Sequence, residues 1–316
     1  MLQGVIMDQT IKVRLNHFNK TNRRKEALSV FLMLLPYTLL FSVFIAIPVA
    51  LAVYLSLTSF NVIEAPTLNG LINFVNIFTQ DDVFLQYVLP KTLSYAIIVG
   101  PGGYLLAFVL AWMLAQIQKG PRTVFALLLY TPSMIGGVFI SVIWRTLFSG
   151  DESGYINALL LQWDMIERPI QFLQSPDHLM TIVIIVALWG SMGVGFLAML
   201  AGILNGNEEL YEAAYVEGID SKFQEVIHVT IPMMKPQMLF GAVMAIVATF
   251  TNGYIGVALS GSNPTPQNAA QFITNHIDDY GFLRYEMGYA AALSVVLLAI
   301  IIIFSKVAYR LFAEKD

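Results

Sequence analysis

The sequence predicts an all-α, polytopic membrane protein with about six transmembrane helices and one long polar loop on the cytoplasmic side. Three observations carry this. Of the 316 residues, 57% are hydrophobic and only 12% charged, against about 25% charged in soluble domains. Mean hydropathy is +0.69. Several apolar runs reach the ~18 residues that read as a membrane-spanning helix. The absence of cysteine excludes a disulfide framework and a thiolate metal site. A net charge of −4, with no basic stripe and interleaved aromatics, gives no footprint for nucleic acid.

Residues 1–28 read as a polar, basic cytoplasmic tail, and 29–312 as the membrane domain. The run from Ser29 to Leu57 exceeds the ~7–15 apolar residues of a signal peptide, so a retained first span is expected there. Further spans are expected near 92–117, 123–147, 179–204, 236–259 and 287–310. Basic residues orient them. With the N-terminus inside, 13 of the 17 Lys and Arg fall on the cytoplasmic side, and only Lys91, Arg145, Arg168 and Arg284 fall outside. Both termini are then cytoplasmic, and the outer connections 58–91, 148–178 and 260–286 are long. Their aromatics, such as Trp163, Phe172, Tyr280 and Phe282, are expected to fold against the spans.

The spans contain almost no charge, which argues against a proton-driven pump. Four of them are expected to be interrupted: at Gly100-Pro101-Gly102-Gly103, at Pro132 with Gly136-Gly137, at Gly190 to Gly195, and at Phe250-Thr251-Asn252-Gly253. Unwound backbone at membrane depth is tolerated where protein or a watery cavity covers it. The clusters therefore read either as a translocation path or as close packing through small residues. The Asn252 amide needs a partner in hydrocarbon, whether a solute or a neighbouring helix.

The polar loop, 207–236, holds six acids from Glu208 to Glu225. Asn207 is a suitable N-cap, with Glu208 and Glu209 in the first turn where the helix dipole favours them. Gly218 suits the left-handed residue that ends this helix. Ser221-Lys222-Phe223-Gln224 has capping-box spacing and opens a second helix. Pro232 and Pro236 reset the chain for the fifth span. Helices that rest on lipid are usually rich in Lys and Arg. An acidic pair with small Ala213 and Ala214 suits a groove in another protein better.

Glu212-Ala213-Ala214, then Gly218, then Ile231-Pro232 resembles the EAA loop of binding-protein-dependent ABC importer permeases of the sugar-type, maltose-permease-like group. Gly70-Leu71-Ile72-Asn73-Phe74, Gly154-Tyr155-Ile156-Asn157 and Gly288 to Ser294 are similar to further elements of that group. The resemblance covers roughly residues 29–312. It implies a multi-pass permease of the bacterial cytoplasmic membrane that is not itself an enzyme; the chain has no GxxxxGK[ST] P-loop. It implies that ATP and Mg are bound by a separate ATPase dimer, and that this chain carries no cofactor. A second homologous permease, an extracytoplasmic solute-binding protein and surrounding membrane lipid complete the expected partners. The solute that the resemblance implies is a small sugar-like molecule, with mono-, di- and oligosaccharides, sugar acids and polyols all open.

By position, the resemblance places the coupling contact with the ATPase at Glu212, Ala213, Ala214, Gly218, Phe223 and Pro232. It places the substrate path at Asn252, Phe250, Thr251 and Tyr254, with Ser191, Met192, Gly193 and Phe196 as second-tier residues. The sequence departs from the usual pattern at Glu217, where Asp is common, and at Ile219, where a small residue is common. The interval from Gly218 to Pro232 is one residue longer than the commonest pattern, which leaves the register of the second helix open. No extra large outer domain is evident.

The main alternative is an ion-coupled secondary transporter, which needs an ion site and usually an internal repeat. A membrane enzyme is the other. His17, His178, His228 and His276 are scattered without HExxH spacing, and solvated structural roles are expected for them.

Overall fold

The computed structural model describes residues 28–312. His17 and all but the last residue of the expected tail lie outside them. The chain divides into two compact units, Met1–Tyr54 and Leu55–Asp316. The described part of the first is most of α1 (Leu28–Ser56), an apolar helix with a π turn at Ser42–Ala46.

The second unit is helical, with one small antiparallel ladder, β1 (Thr58–Ser59) on β2 (Thr67–Leu68). Then come α2 (Ile72–Thr79) and α3 (Phe84–Ala115), the latter long and apolar enough to span. It is followed by α4 (Lys119–Met134), α5 (Gly137–Leu147) and the short α6 (Tyr155–Gln162). Next are α7 (Pro176–Trp189), α8 (Val194–Leu204), α9 (Glu208–Val216) and α10 (Lys222–Met233). The chain ends with α11 (Lys235–Thr251), α12 (Ile255–Ser260), α13 (Ile273–Asp278) and α14 (Met287–Phe312). Among the described residues, three helices (α1, α3 and α14) can cross a membrane alone, and the bent pairs α4/α5, α7/α8 and α10/α11 raise the number to six. Helices are what hydrocarbon requires, because each satisfies its own backbone polar groups.

The second span begins earlier than expected. The Phe84 N–H donates to Asp81 Oδ1 at 2.9 Å, so an aspartate starts the helix well before residue 92. The fifth span is the bent pair α10/α11, with α11 as its longer arm. It stops at Thr251, and α12 continues beyond a break.

Three of the four expected interruptions are present: α4/α5 turn through 99°, α7/α8 through 41°, and α11 breaks before α12. The first is not an interruption. α3 runs unbroken through Pro101. Its glycines serve packing instead: a Cβ on Gly103 would lie 2.9 Å from the Ser191 Cβ at the α7/α8 break. Likewise a Cβ on Gly195 of α8 would meet the Gly241 Cα of α11 at 3.2 Å, so these helices touch main chain to main chain.

The long connections at one end are stapled by buried amides and acids. Asn73 Nδ2 donates to the Ser56 and Thr58 carbonyls, each at 2.9 Å, which ties α2 to the ladder. Asn157, fully buried, donates to the Ser149 carbonyl at 2.8 Å and the Ile170 carbonyl at 3.0 Å, and accepts from the Ile170 N–H. The asparagines of the two family-like outer elements thus share one task, holding irregular chain in place. Asp81 Oδ2 accepts from His276 Nε2–H and from the Tyr289 hydroxyl, both at 2.8 Å. All three are buried. His276 is therefore not the solvated side chain expected, because a carboxylate 195 residues away draws it inside. Of the outer aromatics, Phe172 and Tyr280 do fold inward, on Phe148 and Tyr289, whereas Trp163 and Phe282 are exposed.

Candidate functional site

Two regions carry the sequence-predicted residues. The first is a cavity of about 290 Å³ between α3, the α7/α8 break and the end of α11, with Ser133 of α4 at its edge. That volume sits at the low end of small-ligand cavities, about 300–1,000 Å³. The wall carries no Asp, Glu, Lys, Arg or His. Asn252, Ser191, Gly193 and Phe196 line it as the sequence proposed.

The break in α7/α8 is built locally. The Ser191 hydroxyl donates to the Leu188 carbonyl at 2.7 Å, and the Gly193 N–H donates to the Ser191 carbonyl at 2.8 Å, so the freed backbone turns on itself. At the other break, Asn252 ends α11, its N–H bonded to the Ala248 carbonyl at 3.0 Å. Its side-chain amide makes no hydrogen bond among the described residues. The chain turns so closely at Gly253 that a Cβ there would collide with Thr274. The asparagine is thus held by backbone geometry while its two amide donors and its carbonyl remain available.

The other proposed path residues do not line the cavity. Phe250 is buried on the opposite side of α11, its ring 5.1 Å from that of Phe304. The Thr251 hydroxyl donates to the Val247 carbonyl at 2.8 Å. Tyr254 is exposed, and Met192 is buried with Met199 and Leu200. Helical rotation explains this: neighbours in sequence point about 100° apart. The same rule finds what was missed. Thr249 stands three residues before Asn252 and shares its face, as do Ala245 and Ala248. Tyr95, Val99 and Gly103 form a similar stripe on α3, with Tyr104 beside them.

The second region is the α9–α10 elbow. Asn207 Oδ1 accepts from the Glu209 N–H at 3.0 Å, and Ser221 Oγ from the Gln224 N–H at 3.2 Å; both expected caps form. Gly218, at φ +96°, closes α9 in a Schellman motif: Ile219 N–H to the Ala214 carbonyl at 3.0 Å and Gly218 N–H to the Tyr215 carbonyl at 3.2 Å. α10 contains a π turn at Val226–Thr230. A π turn takes up one residue inside an α-helix, so the interval to Pro232, one longer than the commonest pattern, fits without breaking the helix.

Glu212, Ala213 and Phe223 are exposed on this elbow, as are Gly218 and Pro232. Ala214 is buried, turned into the angle between the helices. Val216, 89% exposed, is a large apolar residue on the surface that the sequence reading passed over. It lies four residues after Glu212, on the same face.

Residues 103–315 match the family of binding-protein-dependent transport system inner membrane components. The chain is 32% identical to the probable ABC transporter permease YesP of Bacillus subtilis, over 88% of each chain. It is 27% identical to the arabinooligosaccharides transport system permease AraP of the same organism, over 89% of this chain and 87% of that one. A bacterial transporter for the acidic polysaccharide alginate contains a chain of the same fold, with a TM-score of 0.73 and 25% identity over 90% of this chain and 96% of that one. The uncharged cleft at the helix breaks and the capped polar elbow thus sit in a membrane protein that belongs to the family of binding-protein-dependent ABC importer permeases.

Proposed function

We propose that this chain forms one half of the path of an importer for a sugar or oligosaccharide, and that a separate ATPase dimer drives it through the α9–α10 elbow. The observation that carries the reading is the cavity: an Asn252 amide without a partner, Ser191 and Thr249 oxygens, and the rings of Tyr95, Tyr104 and Phe196, in a wall free of charge. Amides match sugar hydroxyls, and aromatic faces match the apolar C–H faces of the ring. The kinship with AraP points the same way.

With both termini in the cytoplasm, as the basic residues favour, the elbow faces inward and the stapled connections face outward. ATP and Mg are held by the ATPase, and this chain supplies no catalytic group. When the ATPase dimer closes, the elbow moves with it. α8 and α11, joined to the elbow's two ends, then tilt and switch the cavity's opening from one side to the other. Glu212, Ala213, Val216 and Phe223 form the face presented to the ATPase. A second permease completes the path, and a solute-binding protein delivers the sugar from outside.

The reading is tested in proteoliposomes holding this chain with its partner permease, ATPase and binding protein. Uptake of labelled arabinotriose and of an alginate trisaccharide is followed with ATP inside. ATP-dependent uptake of at least one is expected. Asn252→Ala should lower it at least tenfold while leaving thermal stability within about 1 kcal/mol, since surface-like polar truncations rarely cost more. Uptake that survives ATP depletion and collapses with the ion gradient would overturn the reading in favour of a secondary transporter.

A further inference from the structure

The elbow is more than two capped helices. The Tyr215 hydroxyl on α9 donates to Glu225 Oε2 on α10 at 2.6 Å. Lys222 Nζ donates to the same oxygen at 2.7 Å and to the Tyr215 oxygen at 2.9 Å. Three side chains thus converge on one point, and the Glu225 side chain is only 7% exposed there. Closer to the bundle, the Tyr211 hydroxyl meets the buried Thr230 hydroxyl at 3.2 Å, a second tie between the same two helices. Tyr211 and Tyr215 are one helical turn apart, so both ties lie along one face of α9, about 100° round the helix from Glu212 and Val216. Ala214, small and buried, lets the helices close around them.

The corner is also fixed in its backbone. The Gly218 and Ile219 N–H groups donate the two Schellman hydrogen bonds, to the Tyr215 and Ala214 carbonyls, and a Cβ placed on Gly218 would meet nothing within 4 Å. The conformation is set by the turn, not by crowding. A corner capped on both sides and tied across its inner angle does not bend easily.

We infer that Tyr215, Glu225 and Lys222 form a clasp that makes α9, α10 and the Gly218 corner one rigid lever, and that these three are positioning residues for coupling. Gly218 is then the fixed apex of the lever and not a hinge. The inference rests on the proposed function, in which the ATPase grips α9 and the spans follow α10. A lever that flexes at its apex absorbs the ATPase stroke instead of passing it to α11. None of the three clasp residues needs to touch the ATPase.

The test uses the complete transporter in proteoliposomes with ATP, the loaded binding protein and whichever of arabinotriose or alginate trisaccharide the wild type carries. The readout is ATP hydrolysed per solute taken up. Tyr215→Phe removes one hydroxyl, and Glu225→Ala removes the shared acceptor. Both should keep ATPase turnover within about twofold and raise the ratio at least threefold. Glu225→Gln retains an oxygen acceptor and should fall between Glu225→Ala and wild type. Because the chain has no native cysteine, a Tyr215→Cys, Glu225→Cys pair joined by a short bismaleimide should restore the ratio that the unjoined pair loses. A ratio equal to wild type in Tyr215→Phe and Glu225→Ala, or no gain on joining the pair, overturns the clasp. Wild-type vesicles without ATP-driven uptake overturn the parent reading, and the clasp with it.

Discussion

The two ends of the molecule carry the same chemistry in different surroundings. At the stapled end, Asp81, His276 and Tyr289 meet in a site where each is less than 10% exposed. At the elbow, Glu225, Lys222 and Tyr215 meet with Lys222 57% exposed. The first joins residues 195 and 208 positions apart, the second residues at most 10 apart. A buried hydrogen-bonded cluster around a carboxylate is costly to break, because the remaining partners stay desolvated. One whose cation is exposed to solvent gains less stability from that ion pair but still sets geometry. The Asp81 cluster therefore holds the fold of the long connections. The Glu225 cluster fixes the angle of a part whose helices would stay folded without it.

Substitutions can break or sharpen that contrast. The largest effect is expected for Asp81→Ala, which strands His276 and Tyr289 in the interior and removes the cap on α3. A loss of about 3–5 kcal/mol follows, read as a fall in the thermal midpoint of the detergent-solubilised chain. A loss under about 1 kcal/mol would put the two clusters on the same footing.

Acid gives the next effect. Burial raises the Asp81 pKa, but the hydrogen bonds from His276, the Phe84 N–H and Tyr289 outweigh it and hold the carboxyl down at about 2. A native pKa below the ordinary value near 3.8 adds stability that is complete above it and fades as pH falls from there through about 2. The thermal midpoint of the wild type should thus drop more between pH 5 and pH 2 than that of Asp81→Asn, which has no proton to take up. Parallel curves for the two would deny Asp81 this role.

The smallest stability effect is expected for Lys222→Met, about 0.2–1 kcal/mol. Its weight falls on the ATP-to-solute ratio. A variant that is equally stable yet poorly coupled separates geometry from folding most cleanly.

These clusters also mark how far the sequence could be read. Features written locally were legible. The caps at Asn207 and Ser221 and the left-handed Gly218 follow from residue type and spacing within a few positions. So do the spans, since composition and length define them. The Asp81–His276 pair was not legible, because nothing near either residue announces a partner so far along the chain. Of the residues that the family resemblance placed on the path, Asn252, Ser191, Gly193 and Phe196 line the cavity, at or beside the helix breaks. Phe250 and Thr251, their neighbours in sequence, do not line it, because an apolar helix has little polar contrast to mark which face turns inward. In soluble helices that contrast fixes rotation. Here a lone asparagine must serve as the marker, and the i−3 position, Thr249, is where it points. The unbroken α3 makes a related point: glycine and proline together do not distinguish a helix that opens from one that lets a neighbour come near.

The contact between Gly195 and Gly241 has a consequence for the width of the cavity. Where two backbones rest on each other, the gap between α8 and α11 is calibrated by hydrogen atoms alone. The cavity that both glycines line is thus held narrow at this point. A single methyl at Gly195 would act as a shim against the Gly241 backbone, prising the helices apart and widening the cavity, whereas one at Gly241 would first meet the pliable end of Met199.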